Sequence, residues 1–490
     1  MASRDRRFDG RFVVAVTSTG VYCRPSCPSR TPRRENSRFF RLPAAAEAAG
    51  FRACRRCRPE AGPSSPEWNV RGDLVARALS LIAGGAVDEG GVRSLARRLA
   101  VSERHLHRQL VAEVGVGAQM LAISRRARVA RMLIESTALP MTDVAFAAGY
   151  SSVRQFNDGM RATFGCAPSE LRGTRSPDAQ MGTGELVLRL RHRTPLPARP
   201  LLDWFAARAL GGVETVEDGC YVRTMRLPHG CGLVAAELAP VADGQAALAV
   251  RFTLADPRDV TAAVQRCREL FDLDADPAAI DDDLGCDPVV GPLVRARPGL
   301  RVPGCADGFE LAVRAVLGQQ VSLAAARTFG TRLVIRFGAP RNDLGNPFPQ
   351  LTHLFPTPDA LAEADLASIG LTKRRAATLR ALAKAVCLGE LVLDSGADRA
   401  ECVAALCALT GVGPWTAGYI AMRALRDPDV FLHTDLGLVE AARHHGVDDG
   451  PRALQRCAER WRPWRSYAAM HLWASLPPRS RRNSQESTPR

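Results

Sequence analysis

The stretch Leu409-Thr-Gly-Val-Gly-Pro-Trp-Thr-Ala-Gly-Tyr-Ile-Ala421 places a Gly-x-Gly turn between two helix-forming segments. Glycine at positions 411 and 413 lets the backbone turn sharply and keeps side chains away from the amide groups. Amides arranged in this way can bind a phosphate with little steric hindrance. The same pattern also occurs at purely structural helix junctions, so the turn alone predicts two helices joined by a tight hairpin.

An aspartate stands at a characteristic distance beyond this turn. Asp435 stands 22 residues beyond Gly413, at the end of the run Val430-Phe-Leu-His-Thr-Asp435. A hairpin with an aspartate downstream resembles the helix-hairpin-helix DNA glycosylase superfamily. The resemblance implies that Asp435 is catalytic and that Gly411 and Gly413 contact DNA. From the residues alone, the aspartate could also be a surface or helix-capping residue.

Further motifs make the resemblance more specific. Together with the turn they resemble the AlkA-type 3-methyladenine DNA glycosylase over residues 185–475, which implies a strand-rich part followed by a helical catalytic part. Alternating apolar residues, as in Glu185-Leu-Val-Leu-Arg-Leu-Arg191, predict strands in the first part. The motifs are Phe309-Glu-Leu-Ala-Val-Arg-Ala-Val-Leu-Gly-Gln-Gln-Val-Ser322, Phe355-Pro-Thr-Pro358, Asp429-Val-Phe-Leu432, Ala458-Glu-Arg-Trp-Arg-Pro-Trp-Arg-Ser-Tyr-Ala468 and His471-Leu-Trp473.

The same resemblance implies a pocket for an N-alkylated purine base that has been flipped out of the duplex. Such a base carries positive charge and is attracted to electron-rich ring faces, and the matching aromatic residues are Trp415, Tyr419 and Trp473. Periodicity alone leaves open that these rings only pack in the helical core. Gln320 falls where the family fills the gap that the flipped base leaves in the duplex.

The chemistry expected of Asp435 is electrostatic. A carboxylate near the sugar stabilises the oxocarbenium ion that develops as the glycosidic bond breaks, and it helps a water molecule to attack. Glycosylases that also cut the strand use a lysine just after the hairpin, and Trp415 occupies that position here. The only two lysines of the chain, Lys373 and Lys384, precede it. We therefore expect a monofunctional glycosylase.

Residues 91–115 have the pattern of two helices joined by a tight turn. Apolar residues recur on one face of each helix, and Ser102 is placed to cap the second helix. This is the pattern of a helix-turn-helix, whose second helix enters the major groove of DNA. An amphipathic helical bundle gives the same periodicity and stays open as an alternative. The exposed set on the second helix consists of Arg104, His105, His107 and Arg108.

A second copy of this pattern occupies residues 141–164. The run Asp143-Val-Ala-Phe-Ala-Ala-Gly-Tyr-Ser-Ser-Val-Arg-Gln-Phe-Asn157, followed by Phe164-Gly-Cys-Ala-Pro-Ser-Glu-Leu-Arg172, resembles the AraC-type transcription factor signature. The likeness covers residues 70–172. It implies a DNA-binding activator module with two such units on a connecting helix, here at about residues 117–133.

Four of the 14 cysteines form two close pairs, Cys23-x3-Cys27 and Cys54-x2-Cys57. Two close pairs separated by a loop are typical of a tetrahedral four-cysteine zinc site, so we expect Zn²⁺ here. The zinc can simply hold a small domain together, or it can keep a cysteine as a nucleophilic thiolate. The other ten cysteines are scattered and are expected to be buried small apolar residues.

The sequence around the cysteines resembles the Ada-type methyl-phosphotriester sensor. The likeness rests on Phe8-Asp-Gly-Arg-Phe-Val-Val-Ala-Val-Thr-Ser-Thr-Gly-Val-Tyr-Cys-Arg-Pro-Ser-Cys27, Arg34-Glu-Asn36 and Gly50-Phe-Arg-Ala-Cys-Arg-Arg-Cys57. It implies that Cys23 accepts the methyl group and that all four cysteines bind zinc. Members usually carry a helix before this stretch, and only seven residues stand ahead of Phe8. Either the helix is missing or the start codon is misassigned. DNA backbone contacts of the family would fall on Thr19, Arg30 and Arg52.

The net charge of +15 comes from 66 basic and 51 acidic residues. Residues 1–172 hold 28 arginines against 15 acidic residues, so most of the excess lies in this part. Charge confined to one part of a chain suggests a polyanion partner such as nucleic acid, or else a solvated basic face. No apolar run reaches the roughly 18–20 residues of a membrane span, and the N-terminus lacks the apolar core of a secretory signal. A cytoplasmic location is expected.

These patterns predict a multidomain, mainly α fold. Its parts are a small zinc-binding α/β domain, an AraC-type tandem helix-turn-helix, an α+β strand-rich subdomain and an all-α helix-hairpin-helix glycosylase domain. Polar linkers are expected at residues 58–66 and 173–184. The predicted boundaries are 1–62 for the zinc methyl-acceptor domain, 70–173 for the DNA-binding domain, 185–299 for the strand-rich subdomain, 300–476 for the glycosylase domain and 477–490 for a disordered tail.

The function expected is a fused DNA alkylation response. Methyl transfer from a DNA phosphotriester to Cys23 would activate a transcriptional regulator, and the C-terminal half would excise N-alkylated purines such as 3-methyladenine. One alternative is a regulator with a catalytically inactive glycosylase-like module, and another is a zinc-stabilised glycosylase whose N-terminal half only anchors DNA. No Pro-Cys-His-Arg motif occurs, so a second methyltransferase unit is not expected. Partners would be alkylated and promoter double-stranded DNA and RNA polymerase, without a membrane.

Overall fold

A computed structural model describes residues 4–59, 73–172, 185–238, 246–341, 348–447 and 450–476. The predicted linker at 173–184 and the predicted tail at 477–490 lie outside the described residues. Of the predicted linker at 58–66, the described part is Arg58 and Pro59. Arg58 forms an ion pair with Glu135, so this end of the predicted linker is anchored on the neighbouring helix.

The first part of the chain is a small sheet with one short helix. The strands β1 and β2 form an antiparallel hairpin, β3 pairs antiparallel with the other side of β1, and β4 joins β2 in parallel, which gives the order β3-β1-β2-β4. Tyr22 is fully buried in this sheet, and its hydroxyl donates to Glu47 over 2.7 Å. The elements are β1 (Val13–Val16), β2 (Val21–Cys23), β3 (Ser37–Phe40), α1 (Pro43–Ala48) and β4 (Arg52–Ala53).

Seven helices follow and contain both predicted helix-turn-helix units. The predicted cap is confirmed, since the Ser102 hydroxyl accepts from the backbone N–H of His105, and Ser152 caps the corresponding helix of the second unit. Gly91 breaks the helix in which it lies with a φ of +69°, a conformation that glycine adopts without strain. The helices are α2 (Leu74–Ala83), α3 (Ala86–Arg98), α4 (Glu103–Val114), α5 (Ala118–Ser136), α6 (Met141–Ala147), α7 (Val153–Phe164) and α8 (Pro168–Arg172).

The connecting helix α5 is longer than predicted, because it ends at Ser136 rather than near residue 133. The helix also buries Ile134, just beyond the predicted end. An ion pair at helical spacing between Arg131 and Glu135 supports one more turn. Two other arginines of this helix, Arg125 and Arg126, are buried and share the carboxylate of Asp88, which offsets one of their two positive charges.

A five-stranded antiparallel sheet in the order β5-β9-β8-β7-β6 forms the next part. The predicted strand at residues 185–191 is confirmed, and its alternate residues are buried, as the alternating sequence requires. The elements are β5 (Glu185–Arg191), α9 (Ala198–Ala206), β6 (Glu214–Glu217), β7 (Cys220–Leu227), β8 (Gly230–Glu237), β9 (Ala247–Leu254), α10 (Val260–Leu270), α11 (Pro277–Gly285) and α12 (Gly291–Ala296).

The last part is helical, as predicted, apart from the short antiparallel pair β10 and β11. None of the helices in the described ranges is long and apolar enough to cross a membrane. The elements are α13 (Gly308–Leu317), α14 (Leu323–Phe337), β10 (Ala339–Pro340), β11 (His353–Leu354), α15 (Pro358–Ala362), α16 (Lys373–Cys387), α17 (Arg399–Ala408), α18 (Pro414–Arg423), α19 (Leu436–His444), α20 (Gly450–Ala458) and α21 (Arg465–Ser475).

The N-terminal sheet contacts the strand-rich part through polar groups. Arg11 pairs with the buried carboxylate of Asp276, with 2.8 Å between Nη2 and Oδ2. From the opposite side, Arg193 donates to the backbone oxygens of Asp9 and Asp274, each over 3.0 Å. Each of the two parts therefore supplies an arginine to the other part.

The ten scattered cysteines only partly follow the expectation of burial. Four of them are buried, while Cys286, Cys387 and Cys407 are exposed. Cys286 and Cys387 stand at the ends of helices α11 and α16, where the side chains point past the packed face. A single cysteine in a helical sequence does not reveal which side of the helix it occupies.

Candidate functional site

The hairpin connects α17 to α18 and has the predicted form. Gly411 has a φ of +91°, and a side chain there would collide with the hydroxyl of Thr378, which itself donates to the backbone oxygen of Thr410. Gly413 begins α18 without a side-chain cap, and a Cβ atom added to it would meet open space. The first amides of α18 are therefore accessible to an anion, and the helix dipole favours negative charge at this end.

Asp435 lies next to the start of α18, although 20 residues separate it from Trp415. One carboxylate oxygen, Oδ1, accepts from the backbone N–H of Leu438 and from Nε1 of Trp473, each over 2.9 Å. The other, Oδ2, accepts from Nε1 of Trp415 over 3.1 Å. Asp435 thus caps α19, which is the helix-capping role that the sequence had left open. Two indole groups hold the same carboxylate from either side.

A cavity of about 790 Å³ opens beside this carboxylate. Its wall includes Trp415, Tyr419 and Trp473, so the structure brings together all three aromatic residues predicted from sequence. The rings of Trp415 and Tyr419 are stacked, with centroids 5.4 Å apart and planes 6° from parallel. All three are partly exposed to the cavity and also pack against the helical core.

Sequence reasoning missed several residues of the cavity wall, among them Trp204 and Arg208, which come from the region of α9. The Trp204 ring lies 6.0 Å from that of Trp473, and the Arg208 guanidinium lies 3.5 Å from the Trp204 centroid. Their i, i+4 spacing predicts that they lie on one side of the chain, but it does not distinguish a cavity from the core. Burial lowers the pKa of Arg208.

Arg423 holds the far side of the same wall. Its guanidinium donates to the hydroxyl of Tyr419 over 2.8 Å and to the backbone oxygens of Pro303 and Gly304. Burial alone would raise the pKa of Tyr419, but Arg423 and Arg208 outweigh burial, so this pKa lies below its usual value. The phenol is fixed by these contacts, and its ring stays parallel to that of Trp415.

Gln320 stands at the tip between α13 and α14, is exposed and has a φ of +52°. Its neighbour Gln319 was not singled out from sequence. The Gln319 amide donates to the backbone oxygen of Gly411 over 2.9 Å and to the Thr416 hydroxyl over 3.0 Å. Gln319 therefore connects the tip to the hairpin. Neither Lys373 nor Lys384 lines the cavity.

The four paired cysteines come together at the end of β2 and in the loops that follow. Cys23, Cys27, Cys54 and Cys57 are free thiols, and their sulfur atoms all lie within 4.8 Å of one another. Among the described residues this is the group of cysteine, histidine and acidic side chains that could hold a metal. Four converging sulfurs fit the tetrahedral thiolate coordination of zinc.

The electrostatics of these thiols favours a metal ion. The Cys23 thiol donates a hydrogen bond to Cys57, which lowers the pKa of Cys57 to about 6. The same hydrogen bond, together with burial, raises the pKa of Cys23. Four thiolates so close together repel one another, and a divalent cation offsets this repulsion. Zinc would therefore convert Cys23 from a protonated thiol into a thiolate.

The other predicted residues of the sensor are on the surface. Thr19, in the turn between β1 and β2, and Arg30 are exposed. Arg52 is also exposed, and it lies against Gly165, the glycine that ends α7 of the second helix-turn-helix unit. A basic residue of the sensor therefore borders the DNA-reading part.

The predicted recognition helix α4 presents its basic residues to solvent. Arg104 and Arg108 are exposed, and a guanidinium nitrogen of Arg108 lies 3.1 Å from Nδ1 of His105. His107 is exposed as well, but its ring lies against Gly117 at the start of α5. His105 is half-buried, so the predicted exposure holds fully for Arg104, His107 and Arg108 and only in part for His105.

Four family models match successive parts of the chain. The metal binding domain of Ada matches residues 1–60, and a helix-turn-helix domain matches residues 95–174. The AlkA N-terminal domain matches residues 187–307, and the HhH-GPD superfamily base excision DNA repair protein matches residues 313–466. These matches and the structure confirm the predicted mainly α, multidomain fold and zinc as its metal.

Similar proteins span most of the chain. A probable bifunctional transcriptional activator/DNA repair enzyme AlkA of Mycobacterium tuberculosis is 50% identical over 477 residues, which cover 97% of this chain and 95% of that protein. The DNA-3-methyladenine glycosylase 2 of Escherichia coli is 37% identical over 276 residues, 56% of this chain and 92% of that protein. A 3-methyladenine DNA glycosylase structure from Archaeoglobus fulgidus covers 58% of this chain and 96% of its own, with 23% identity and a TM-score of 0.50, and is similar in fold.

Together, the relatives and the family models match the zinc-binding sensor, the helix-turn-helix part (the reader) and the repair half, in the order in which they follow one another along this chain. The predicted relationship is confirmed: this chain belongs to the family of bifunctional transcriptional activator/DNA repair enzymes of the AlkA type.

Proposed function

We propose that this chain senses methylated DNA phosphates, regulates transcription in response and excises N-alkylated purines such as 3-methyladenine. The observation that carries the repair function is the carboxylate of Asp435, held by two indole N–H groups at the wall of an aromatic cavity. A cavity of about 790 Å³ has room for a purine base. Its ring faces suit the positive charge of an N-alkylated base.

Asp435 supports cleavage of the glycosidic bond through its fixed negative charge. As the bond between C1′ and the base nitrogen breaks, the electron pair leaves with the base, and positive charge develops on the sugar. A carboxylate held in place stabilises this charge without rearranging. Three of the four acceptor positions of the carboxylate are filled by Leu438, Trp473 and Trp415. The fourth, on Oδ2, is left for the water that attacks C1′.

The repair reaction stops at base release. A strand-cutting glycosylase needs an amine that forms a covalent bond with C1′. At the start of α18 this chain has Trp415, and its two lysines lie away from the cavity wall. The protein is therefore a monofunctional glycosylase. It should leave an intact abasic strand, without β-elimination or borohydride trapping on abasic DNA.

The sensor reaction takes place at Cys23. When bound, zinc keeps the four sulfurs as thiolates. The Cys23 sulfur attacks the methyl carbon of a phosphotriester, a carbon–sulfur bond forms, and the electron pair of the carbon–oxygen bond returns to the phosphate oxygen. Thr19, Arg30 and Arg52 would hold the DNA backbone. The transfer changes the formal charge of the cluster from −2 to −1, which reduces its repulsion of DNA phosphates.

The reader converts this change into regulation. Recognition helix α4, with Arg104, His105 and Arg108, binds promoter DNA in the major groove, and α7 supplies the second unit. Methylated protein then binds the promoter more tightly and recruits RNA polymerase in the cytoplasm. The basic excess of residues 1–172 supports this assignment, because phosphate contacts dominate DNA affinity.

Asp435→Asn tests the repair function. Asparagine also caps helices, so α19 should stay intact while the negative charge is lost. We expect single-turnover release of 3-methyladenine to fall by about a hundredfold or more. Asp307→Asn is the matched control, because Asp307 caps α13 in the same way and lies outside the cavity wall. Equal base release by Asp435→Asn and wild type would reject the assignment and favour an inactive glycosylase-like module.

Mass spectrometry tests the sensor function. After zinc-loaded protein is exposed to DNA that carries methyl phosphotriesters, one added methyl group should map to Cys23. Cys166→Ser, which changes a buried cysteine outside the cluster, should be methylated like wild type, whereas Cys23→Ser should not. If folded, zinc-loaded wild type gains no methyl group, the N-terminal half serves only to anchor DNA.

A further inference from the structure

Leu436 has a position that nothing in the packing of the protein explains. Among the large hydrophobic side chains of the described residues it is the most exposed, at 81%. It is the first residue of α19 and directly follows Asp435. The buried face of the same helix is formed by other residues, including the fully buried Leu438 and Ala441. The helix therefore does not need Leu436 for its core.

The direction of Leu436 is fixed by the contacts of its neighbour. Asp435 caps α19 and is held by both Trp415 and Trp473, so the backbone at the start of this helix has little freedom. Leu436 is not part of the cavity wall, although Asp435 is. The leucine thus stands outside the pocket, on the rim beside the carboxylate.

The tip that carries Gln320 supplies a second part of the rim. Leu323, the first residue of α14, lines the cavity and is 44% exposed. Gln320 is three residues before it and is exposed as well. Gln319 connects this tip to the hairpin at Gly411, and Trp415 connects the hairpin to Asp435. The two parts of the rim are therefore held together by hydrogen bonds, with the hairpin between them.

A protein that flips a base must stabilise a duplex from which one base is missing. Proteins that distort DNA commonly insert an apolar side chain, often leucine, between base steps. Gln320 is polar and flexible, so it replaces the missing stacking poorly. Leu436 is apolar, short and anchored at the first position of a helix, which limits the entropy lost on contact.

We propose that Leu436 contacts the duplex beside the extruded nucleotide and holds this nucleotide in the extruded state, in addition to any contact made by Gln320. This inference rests on the proposed glycosylase function and names a positioning residue for it. Leu436 does not touch the reacting atoms. Its substitution should therefore change the extrusion equilibrium and leave bond cleavage in the extruded complex unaltered.

Leu436→Ala tests the proposal with two substrates. One duplex carries an N-methylated purine opposite its normal partner, and the other carries the same lesion mispaired, where extrusion costs less. We expect the single-turnover rate on the paired lesion to fall by about tenfold, and the rate on the mispaired lesion to fall much less. Leu436→Met, which keeps an apolar chain of similar size, should restore most of the paired rate.

An optical measurement gives a readout that does not depend on catalysis. With Asp435→Asn as the background, 2-aminopurine placed next to the lesion becomes more fluorescent when the base leaves the stack. Addition of Leu436→Ala should reduce this increase. Leu388→Ala is the matched control, because Leu388 is 71% exposed at the end of α16, away from the cavity wall, and its change should leave rates and fluorescence unaltered.

The possible results separate this proposal from the proposed function. Unchanged paired excision by Leu436→Ala overturns the role of Leu436. Equal loss on paired and mispaired lesions also overturns it, since that result would show an effect on the chemical step. Normal excision by Asp435→Asn would instead reject the glycosylase assignment, whatever the Leu436 variants do.

Discussion

The indole nitrogen of Trp473 lies 2.9 Å from Oδ1 of Asp435, so the last helix of the described chain orients the carboxylate that begins α19. The two residues are 38 positions apart in sequence. Trp415 binds the other oxygen from the hairpin side. The aromatic wall of the cavity thus has a second role, because the indole N–H groups of Trp415 and Trp473 fix the orientation of the Asp435 carboxylate.

Trp473→Phe should therefore slow base excision even though an aromatic ring remains. Hydrogen bonds to charged groups are worth about 1.5–3 kcal/mol, which corresponds to a loss of roughly 10- to 150-fold if the bond is fully used in the transition state. Single-turnover excision measures the change. Trp464→Phe is a matched control, because Trp464 donates to Asp283 over 2.7 Å and lies outside the cavity wall. A rate equal to wild type would show that Trp415 and the backbone N–H of Leu438 suffice to orient the carboxylate.

Loss of one zinc ligand should release the metal. Cys57→Ser leaves three sulfurs, and zinc content measured by atomic emission should drop well below the full complement of wild type. The melting temperature of the N-terminal part should fall with it, since a small domain has a marginal core. Cys166→Ser should keep its zinc. Retention of zinc by Cys57→Ser would contradict the four-cysteine site.

Arg104→Ala should weaken DNA binding by the reader without affecting repair. If Arg104 contacts a phosphate, the slope of log K against log salt should decrease by about 0.9, because one fewer counterion is released. Titrations of duplex DNA at several salt concentrations measure this slope. Arg258→Ala removes an equally basic, exposed side chain from the strand-rich part and should not change it. Excision of 3-methyladenine should be the same in all three proteins.

Acid should destabilise the glycosylase part through His471. Burial, with a smaller contribution from Arg297, lowers the pKa of His471 from 6.5 to about 4 in the folded protein. The unfolded chain therefore binds the proton first. The contribution of neutral His471 to the free energy of unfolding is fully present above about pH 6.5. It is lost as the pH falls toward 4, by about 1.4 kcal/mol for each pH unit.

Thermal unfolding at pH 7 and pH 5 measures this loss. His471→Leu should show a smaller decrease in stability between the two values, by about 2 kcal/mol. His192, whose pKa is also lowered to about 4 by burial, should keep its own part of the pH dependence in that variant. The exposed His444→Ala is the control. An unchanged pH dependence in His471→Leu would refute the assignment.

The local motifs made most of the candidate site predictable. Gly411, Gly413 and Asp435 could be identified because their spacing along the chain predicts how they are placed in space. Trp204 and Arg208 could not, since they lie more than 200 residues before Asp435 and reach the cavity only through the packing of α9 on the helical part. Nothing in the sequence around Trp204 marks it as facing a pocket rather than the core.

Helix lengths and burial were predictable to the extent that they follow apolar periodicity. The strand at residues 185–191 has that periodicity and was predicted correctly, whereas the last turn of α5 also has an ion pair between Arg131 and Glu135, which periodicity does not show. Buried arginines such as Arg125 were not foreseen, because their burial depends on Asp88, a partner from another helix. Apolar periodicity does not predict the burial of a charged residue whose partner is distant in sequence.

The contacts of Arg11 with Asp276 and of Arg193 with Asp9 have a consequence for the history of this fusion. A glycosylase released from this chain by gene fission would expose a carboxylate and a guanidinium whose partners stayed with the sensor. Both groups would then be solvated, and Arg193 would keep its hydrogen bond to the backbone oxygen of Asp274. What a fission would remove is the pair of polar contacts that sets how the sensor lies against the strand-rich part.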